Sequence, residues 1–342
     1  MYLVAGGAGF LGEVLIKKLL REGKKVRSFD QNLTCLEHEN LEIFQGNVLD
    51  AKAVERAVEG AEVVFNNIAQ VPISKNKELF WAVNEGGTKN LLEASSKCGI
   101  RHFIYTSSSA IYGCPMSNPV SEKTKPSPAE DYGKAKLAGE MLCEEFNNKG
   151  LRASIIRPRT ILGTGRLGIF QILFEWVYQG LNIPVIDEGK NIYQFIHVAD
   201  LVDACFKAGE LTESGTYNIG AVKFGTMYDV LSNLIKYSGS KSKIKSVSSG
   251  LTEKAMTITS KLGLSPLGAY HALMYGKSMH FDISHAQNKL NFNPIHSNNE
   301  MFIESYEWYC KNRQDILSGR LSGSGHKSAM KQKILKLVPY LI

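Results

Sequence analysis

The sequence predicts an α/β fold, a doubly wound parallel sheet with a smaller C-terminal substrate lobe, and three observations carry that expectation. Short apolar runs alternate with amphipathic stretches through residue 160, a glycine cluster follows the first run, and beyond 161 the alternation loosens. Runs at 2–5, 25–29, 41–44, 63–66, 102–106 and 154–156 read as strands, and stretches at 10–21, 51–58, 79–96 and 132–146 as helices. Alternation at this spacing needs crossover connections, hence parallel strands covered on both faces. Right-handed crossovers then wind the sheet doubly. Further on, a helix at 169–179, a strand at 193–196, a helix at 198–208 and a strand at 216–219 precede irregular stretches at 238–249 and 263–278. The expected division is therefore 1–160 with 191–220 returning to it, then a lobe of 161–190 and 221–317 over the strand ends, where open α/β sheets bind ligands. Glycine and serine dominate 318–325, so 318–342 reads as a flexible linker and a basic amphipathic tail.

Composition narrows the function classes. The 342 residues are 44% apolar and 21% charged, as in ordinary soluble globular proteins. The six cysteines stand far apart without a Cys-x-x-Cys spacing, which argues against a disulfide framework or zinc ribbon and suits a reducing cytoplasm. The net charge of +7 is concentrated in the tail, where Arg320, Lys327, Lys331, Lys333 and Lys336 meet no acid, so residues 1–317 carry only +2 and no nucleic acid is expected as partner. No apolar run approaches the roughly 18 residues of a membrane span, and Met1 to Ala5 show no basic segment of a signal peptide. The eight histidines show no spacing with carboxylates that marks a metal site, and no metal is expected.

Gly6-Gly-Ala-Gly9-Phe-Leu-Gly12 follows a strand and opens a helix. A dinucleotide pyrophosphate needs glycine for a tight turn, close backbone approach and close helix–strand packing, and the helix N-terminus offers it amides and a favourable dipole. Asp30 ends the second strand, where a carboxylate accepts from ribose hydroxyls and repels a 2′-phosphate; Gln31 follows instead of an arginine. The pattern favours NAD over NADP. Tyr132 and Lys136 stand four apart, on one helix face. A phenol near pKa 10 is a poor base until a neighbouring ammonium favours the phenolate. Thr106-Ser-Ser-Ser109 supplies hydroxyls at the end of the fifth strand; a second Tyr-x-x-x-Lys at Tyr237 and Lys241 lacks such a cluster and reads as coincidence.

Together with Val83-Asn-Glu-Gly-Gly-Thr88, Phe195-Ile-His-Val-Ala-Asp200 and Tyr217-Asn-Ile-Gly220, these motifs resemble the extended short-chain dehydrogenases/reductases, the NAD-dependent epimerase/dehydratase group, from Met1 to about Leu317. The resemblance implies a Rossmann domain and a catalytic set of Ser108, which holds the reacting oxygen, Tyr132 as general acid/base, and Lys136, which binds the nicotinamide ribose and lowers the tyrosine pKa. It implies cofactor contacts at Gly6, Gly9, Phe10, Leu11, Gly12, Asp30, Gln31, Asn47, Val48, Ile68, Ala69, Asn84, Thr106, Tyr132, Lys136 and Pro158, and a homodimer paired through helices 79–96 and 132–146.

Within that group, dehydratases carry acidic residues just after the catalytic hydroxyl, whereas here Ser109, Ala110 and Ile111 follow; the cysteine of the 3,5-epimerase/reductase branch is missing too. What remains is 4-epimerisation of a nucleotide sugar or a simple dehydrogenase. Substrate contacts are expected at Ser109, Arg159, Thr160 and Gln194, the last replacing a frequent arginine; Arg159 and Arg166 offer compensating charge. The apolar stretch 262–275 is similar to the 3β-hydroxysteroid dehydrogenase branch and brings in, as second reading, an enzyme for an apolar or lipid-linked alcohol. A non-catalytic NAD-binding scaffold is a third. In the tail, Met330, Ile334, Leu337, Val338 and Leu341 share a helical face; a docked helix or frayed end ranks ahead of a peripheral membrane contact through 326–342.

Overall fold

The computed structural model describes residues 1–70, 77–248, 250 and 276–320. Along the first half of the chain come β1 (Tyr2–Ala5), α1 (Phe10–Arg21), β2 (Val26–Asp30), β3 (Leu41–Gln45), α2 (Ala51–Val58), β4 (Val63–Asn66), α3 (Lys77–Trp81), α4 (Gly87–Lys97), β5 (His102–Thr106), α5 (Asp131–Asn148) and β6 (Ala153–Pro158). After them come β7 (Thr160–Leu162), α6 (Ile169–Gln179), β8 (Ile183–Ile186), β9 (Ile192–Tyr193), β10 (Phe195–His197), α7 (Val198–Glu210), β11 (Thr216–Ile219), β12 (Gly225–Thr226), α8 (Met227–Ser238), β13 (Ile244–Val247), α9 (Ser284–Leu290) and α10 (Asn298–Leu317). The main sheet has seven strands in the order β11-β6-β5-β4-β1-β2-β3, all parallel. The chain reverses direction across the sheet between β1 and β4, and the crevice beyond their carboxyl ends is where a ligand sits in such a fold.

β1 and β4 are buried along their whole length, as a sheet covered on both faces demands. On one face α1 and α7 pack Leu15, Leu19, Leu201 and Cys205 against Val4, Phe65 and Ile104; on the other, α2, α4 and α5 bring Val54, Leu91, Leu92 and Cys143 against Leu3, Val64 and Phe103. A third cluster, with Phe174, Phe195, Phe302 and Tyr309, builds the smaller lobe from α6, α8, β10 and α10. No helix among the described residues is long and apolar enough to cross a membrane.

The structure corrects several expected elements. The helix over 79–96 is interrupted by a π-helical turn at Ala82–Gly86. The strand over 193–196 divides at Gln194 into β9, antiparallel to β12, and β10, parallel to β7. The stretch 238–249 is not wholly irregular, because β13 pairs in parallel with β8. At the expected start of the linker α10 ends with Leu317: Ser318 caps it, and the Arg320 amide donates to the Asp315 carbonyl (3.0 Å). The apolar stretch 262–275 and the tail 326–342 lie outside the described residues.

Candidate active site

The glycine loop lies between β1 and α1. Gly6 takes φ +81°, and a Cβ there would press on the Asn67 carbonyl carbon at 3.0 Å; a Cβ on Gly12 would come within 2.1 Å of the Gly6 carbonyl oxygen. Gly9, the N-cap of α1, has no side chain to satisfy the first-turn amides, so those of Phe10 and Leu11 face the crevice for an anion. Asp30 accepts the Ala8 amide on Oδ2 (3.2 Å) and the Asn32 amide on Oδ1 (3.0 Å), which fixes the carboxylate beside the loop with lone pairs to spare for a diol. Gln31 is exposed, and its carbonyl accepts from Gln45. The buried Asn67 Nδ2 has no hydrogen-bond partner, while Asn67 Oδ1 accepts from Thr106 Oγ1 (2.6 Å). A cradle closed to any Cβ, uncapped amides, a held carboxylate and an orphaned donor fit a dinucleotide.

Other expected cofactor positions lie around this cradle. Ile68 and Ala69 follow the end of β4, with the Ile68 amide on Asn66 Oδ1 (3.1 Å). Asn84 has no unused donor: its amide meets Gln70 in both directions (3.1 Å each) and donates to the Phe80 carbonyl (2.9 Å). It holds the strand end from behind. Val48 is buried under Gly87 with its carbonyl taken by Asn90, while Asn47 is exposed in a turn closed on the Leu49 amide. Pro158 is the buried last residue of β6.

Ser108 opens a 3-10 turn, Ser109–Tyr112, and its Oγ accepts the Ala110 amide (3.2 Å). α5 begins against that turn, capped by Glu130, which accepts the amides of Tyr132 and Gly133 (2.7 Å each). Gly133 permits the contact, since a Cβ there would lie 2.4 Å from the Ala110 carbonyl oxygen. This packing sets the Ser108 hydroxyl beside the Tyr132 phenol. Burial pushes the Tyr132 phenol up to about 12; the neighbouring Ser108 hydroxyl and the Arg166 charge act downward, and Glu130 acts upward. Lys136, 2% exposed, donates to the Thr106 carbonyl (2.7 Å), and burial lowers its ammonium to about 8 against the opposing charge of Glu140. A cation whose charge reaches the phenol is Arg166, from the loop after β7; its guanidinium lies over the Phe10 ring at 5.6 Å and its buried Nε has no partner. Sequence reasoning had this residue in hand only as spare charge for a phosphate. The second Tyr-x-x-x-Lys behaves as coincidence, with Tyr237 52% exposed on α8 and bonded to Glu307.

Of the expected substrate residues, Ser109 is buried and accepts from Arg159 Nη1 (3.0 Å), and Thr160 Oγ1 meets the Tyr193 hydroxyl (2.9 Å). Gln194, fully buried, donates Nε2 to the Ala221 carbonyl (2.6 Å) and accepts the Phe281 amide on Oε1 (2.9 Å), so it braces the lobe. A cluster missed in the sequence joins His197, His296 and Glu304 with ligand atoms within 4.8 Å of one another. His197 Nδ1 accepts the Ala199 amide (3.3 Å), which places the proton of a neutral ring on Nε2, 3.1 Å from a Glu304 carboxylate oxygen but outside hydrogen-bond geometry. His296 stacks on His197 and meets Asp200 through Nδ1 (3.0 Å). As bonded, the group fastens α10 to the start of α7.

Comparison with known proteins adds to this geometry. The sequence model of the NAD dependent epimerase/dehydratase family matches residues 2–220. The uncharacterised protein y4nG of Sinorhizobium fredii is 52% identical across 99% of this chain and 86% of its own. A 3 beta-hydroxysteroid dehydrogenase/Delta 5-->4-isomerase of Mycobacterium tuberculosis is 27% identical over 90% of each chain. The solved UDP-glucose 4-epimerase of Thermotoga maritima with UDP-glucose superposes with a TM-score of 0.76 at 25% identity, covering 91% of this chain and 99% of that one.

Proposed function

Because the chain belongs to the NAD dependent epimerase/dehydratase family, we propose that it is a nucleotide-sugar 4-epimerase of the extended short-chain dehydrogenase/reductase group. The observation that carries the reading is the Tyr132 phenol beside Ser108, at a turn whose next residues, Ser109, Ala110 and Ile111, bring no carboxylate. Elimination of water needs a second acid and base; moving a single proton at a carbinol needs only this pair. Ser108, its oxygen already held by the Ala110 amide, has its hydroxyl hydrogen to give to the reacting oxygen. Tyr132 takes the carbinol proton and returns it, with Arg166 favouring the phenolate and Lys136 held on Thr106 for the cofactor ribose. NAD, held by the glycine loop, Asp30 and Lys136, supplies the hydride acceptor and donor. An epimerase reuses one nicotinamide in place, so NAD released by denaturing freshly purified protein should approach one per chain. A site that empties during purification and rebinds NAD reversibly contradicts the epimerase reading.

That second outcome would support an exchanging dehydrogenase for an apolar alcohol, which one observation favours: Gln194, where many sugar-nucleotide enzymes carry arginine, offers the site no polar atom. The reading also includes a homodimer through the outer faces of α4 and α5, where Met141 is 63% exposed, and a cytoplasmic setting in keeping with six cysteines that form no disulfide. Sedimentation as a monomer at micromolar concentration would remove the dimer.

A further inference from the structure

Beside the Ser108 turn lies a charge that the surrounding side chains do not balance. Arg159 follows β6 directly and is 1% exposed. Its Nε donates to the Gln194 carbonyl (3.2 Å), and its Nη1 to Ser109 Oγ (3.0 Å) and Met279 Sδ (3.1 Å), but its buried Nη2 has no partner. Among the described residues no carboxylate forms an ion pair with it. The rings of Tyr193 and Phe281 flank it at 4.6 and 5.6 Å and offset part of the lost hydration, yet a ring face does not take the in-plane donors of the fork. Arg157, two residues earlier and also buried, shows the contrast: Glu140 receives it through two hydrogen bonds (3.0 and 2.6 Å) and Tyr112 through a third (2.8 Å). One strand end thus carries one neutralised guanidinium and one left open, and an unpaired buried charge is costly to a fold unless a ligand completes it. The open charge is felt nearby, since His280 is held below its ordinary pKa by burial and then by Arg159.

We propose that Arg159 determines specificity for a substrate with a carboxylate on the carbon next to the reacting carbinol, a β-hydroxy acid, by taking that carboxylate on its Nη2 edge. Ser109, which holds Nη1, follows Ser108 directly, so the guanidinium is tied to the turn that carries the reacting serine. A planar carboxylate matches the edge of a guanidinium in shape and charge. The inference rests on the reading of Ser108 and Tyr132 as the reacting pair, and within the 4-epimerase reading it makes the substrate a nucleotide uronic acid.

The test uses full-length NAD-loaded protein and Arg159→Met, titrated calorimetrically with two matched pairs. UDP-glucuronic acid and UDP-glucose differ at the carboxylate; 3-hydroxybutyrate and 2-butanol pose the same question without a nucleotide. The wild type is expected to bind the acid of a pair roughly 10- to 100-fold more tightly, and Arg159→Met to bind both alike while keeping NAD and its melting temperature. Equal affinities in the wild type, or a preference that survives in the variant, overturn the proposal. If the variant fails to fold, the wild-type comparison decides alone. A preference confined to 3-hydroxybutyrate upholds the carboxylate site and removes the nucleotide-sugar reading; turnover of UDP-glucose with no preference for either acid does the reverse.

Discussion

At the scale of single residues, the task is to bring a phenol held near 12 into use at neutral pH. Two groups of the chain act in that direction, the Ser108 hydroxyl and the Arg166 guanidinium, while burial and Glu130 oppose them. Tyr132→Phe removes only the hydroxyl proposed to transfer the proton, so it should leave NAD content and melting temperature unchanged and lower kcat by about 10²- to 10⁴-fold. A variant within a few-fold of wild type would take Tyr132 out of the reaction. Ser108, Tyr132 and Lys136 were legible because chemistry and order in the chain coincide: hydroxyls after a strand, then a tyrosine and lysine on one helix face. Arg166 was not, since its approach to Tyr132 depends on a loop with Gly163, Gly165 and Gly168 all at positive φ. The internal partners of Asn84 and Gln194 were not legible, for a different reason. A sequence shows that a side chain is polar but not that the protein has already used both ends of its amide.

At the scale of elements, the phosphate loop is the least tolerant piece. A methyl on Gly12 would sit 2.1 Å from the Gly6 carbonyl oxygen, a backbone atom that yields only if the whole turn shifts. Gly12→Ala should therefore weaken NAD binding on the order of tenfold or more, measured by titration of apoprotein, with the rest of the fold intact by circular dichroism. The bounds of α1 and α2 were readable to the residue, because each amphipathic run has a plain start, Gly9 for one and Asp50 for the other, whose carboxylate accepts two amides. Two missed helices carried a readable signal of their own: Thr226 with Asp229 and Ser297 with Glu300 form capping boxes at the starts of α8 and α10. The π-helical turn had no local sign, because it exists to let Asn84 reach back to Gln70 and Phe80.

At the scale of the whole molecule, acid sensitivity has a definite seat. His102 is fully buried in β5; its Nδ1–H donates to the Leu211 carbonyl (3.3 Å), and Nε2 accepts from Ser154 Oγ (2.8 Å), whose oxygen in turn receives the Gly215 amide. Burial lowers its pKa to about 4. Between the ordinary 6.5 and that value the unfolded chain binds the extra proton and the native one does not, so stability falls as pH drops through the window. The loss attributable to His102 is at most about 3 kcal/mol. His102→Asn should be less stable at pH 7 yet show a flatter decline of melting temperature from pH 6.5 to 4; a decline parallel to wild type would place the sensitivity elsewhere. The last helix bears on how the molecule is made. Asn298 accepts the Phe195 amide (3.1 Å) and donates to the Tyr193 carbonyl (2.7 Å), bridging the break between β9 and β10, and α10 carries Phe302 and Tyr309 into the lobe's core. On a ribosome, where chains fold from the N-terminus, the glycine loop and Asp30 emerge long before that brace. A nascent chain therefore completes its nucleotide half first, and a message cut short before codon 298 yields a protein with a cradle and no finished lobe above it.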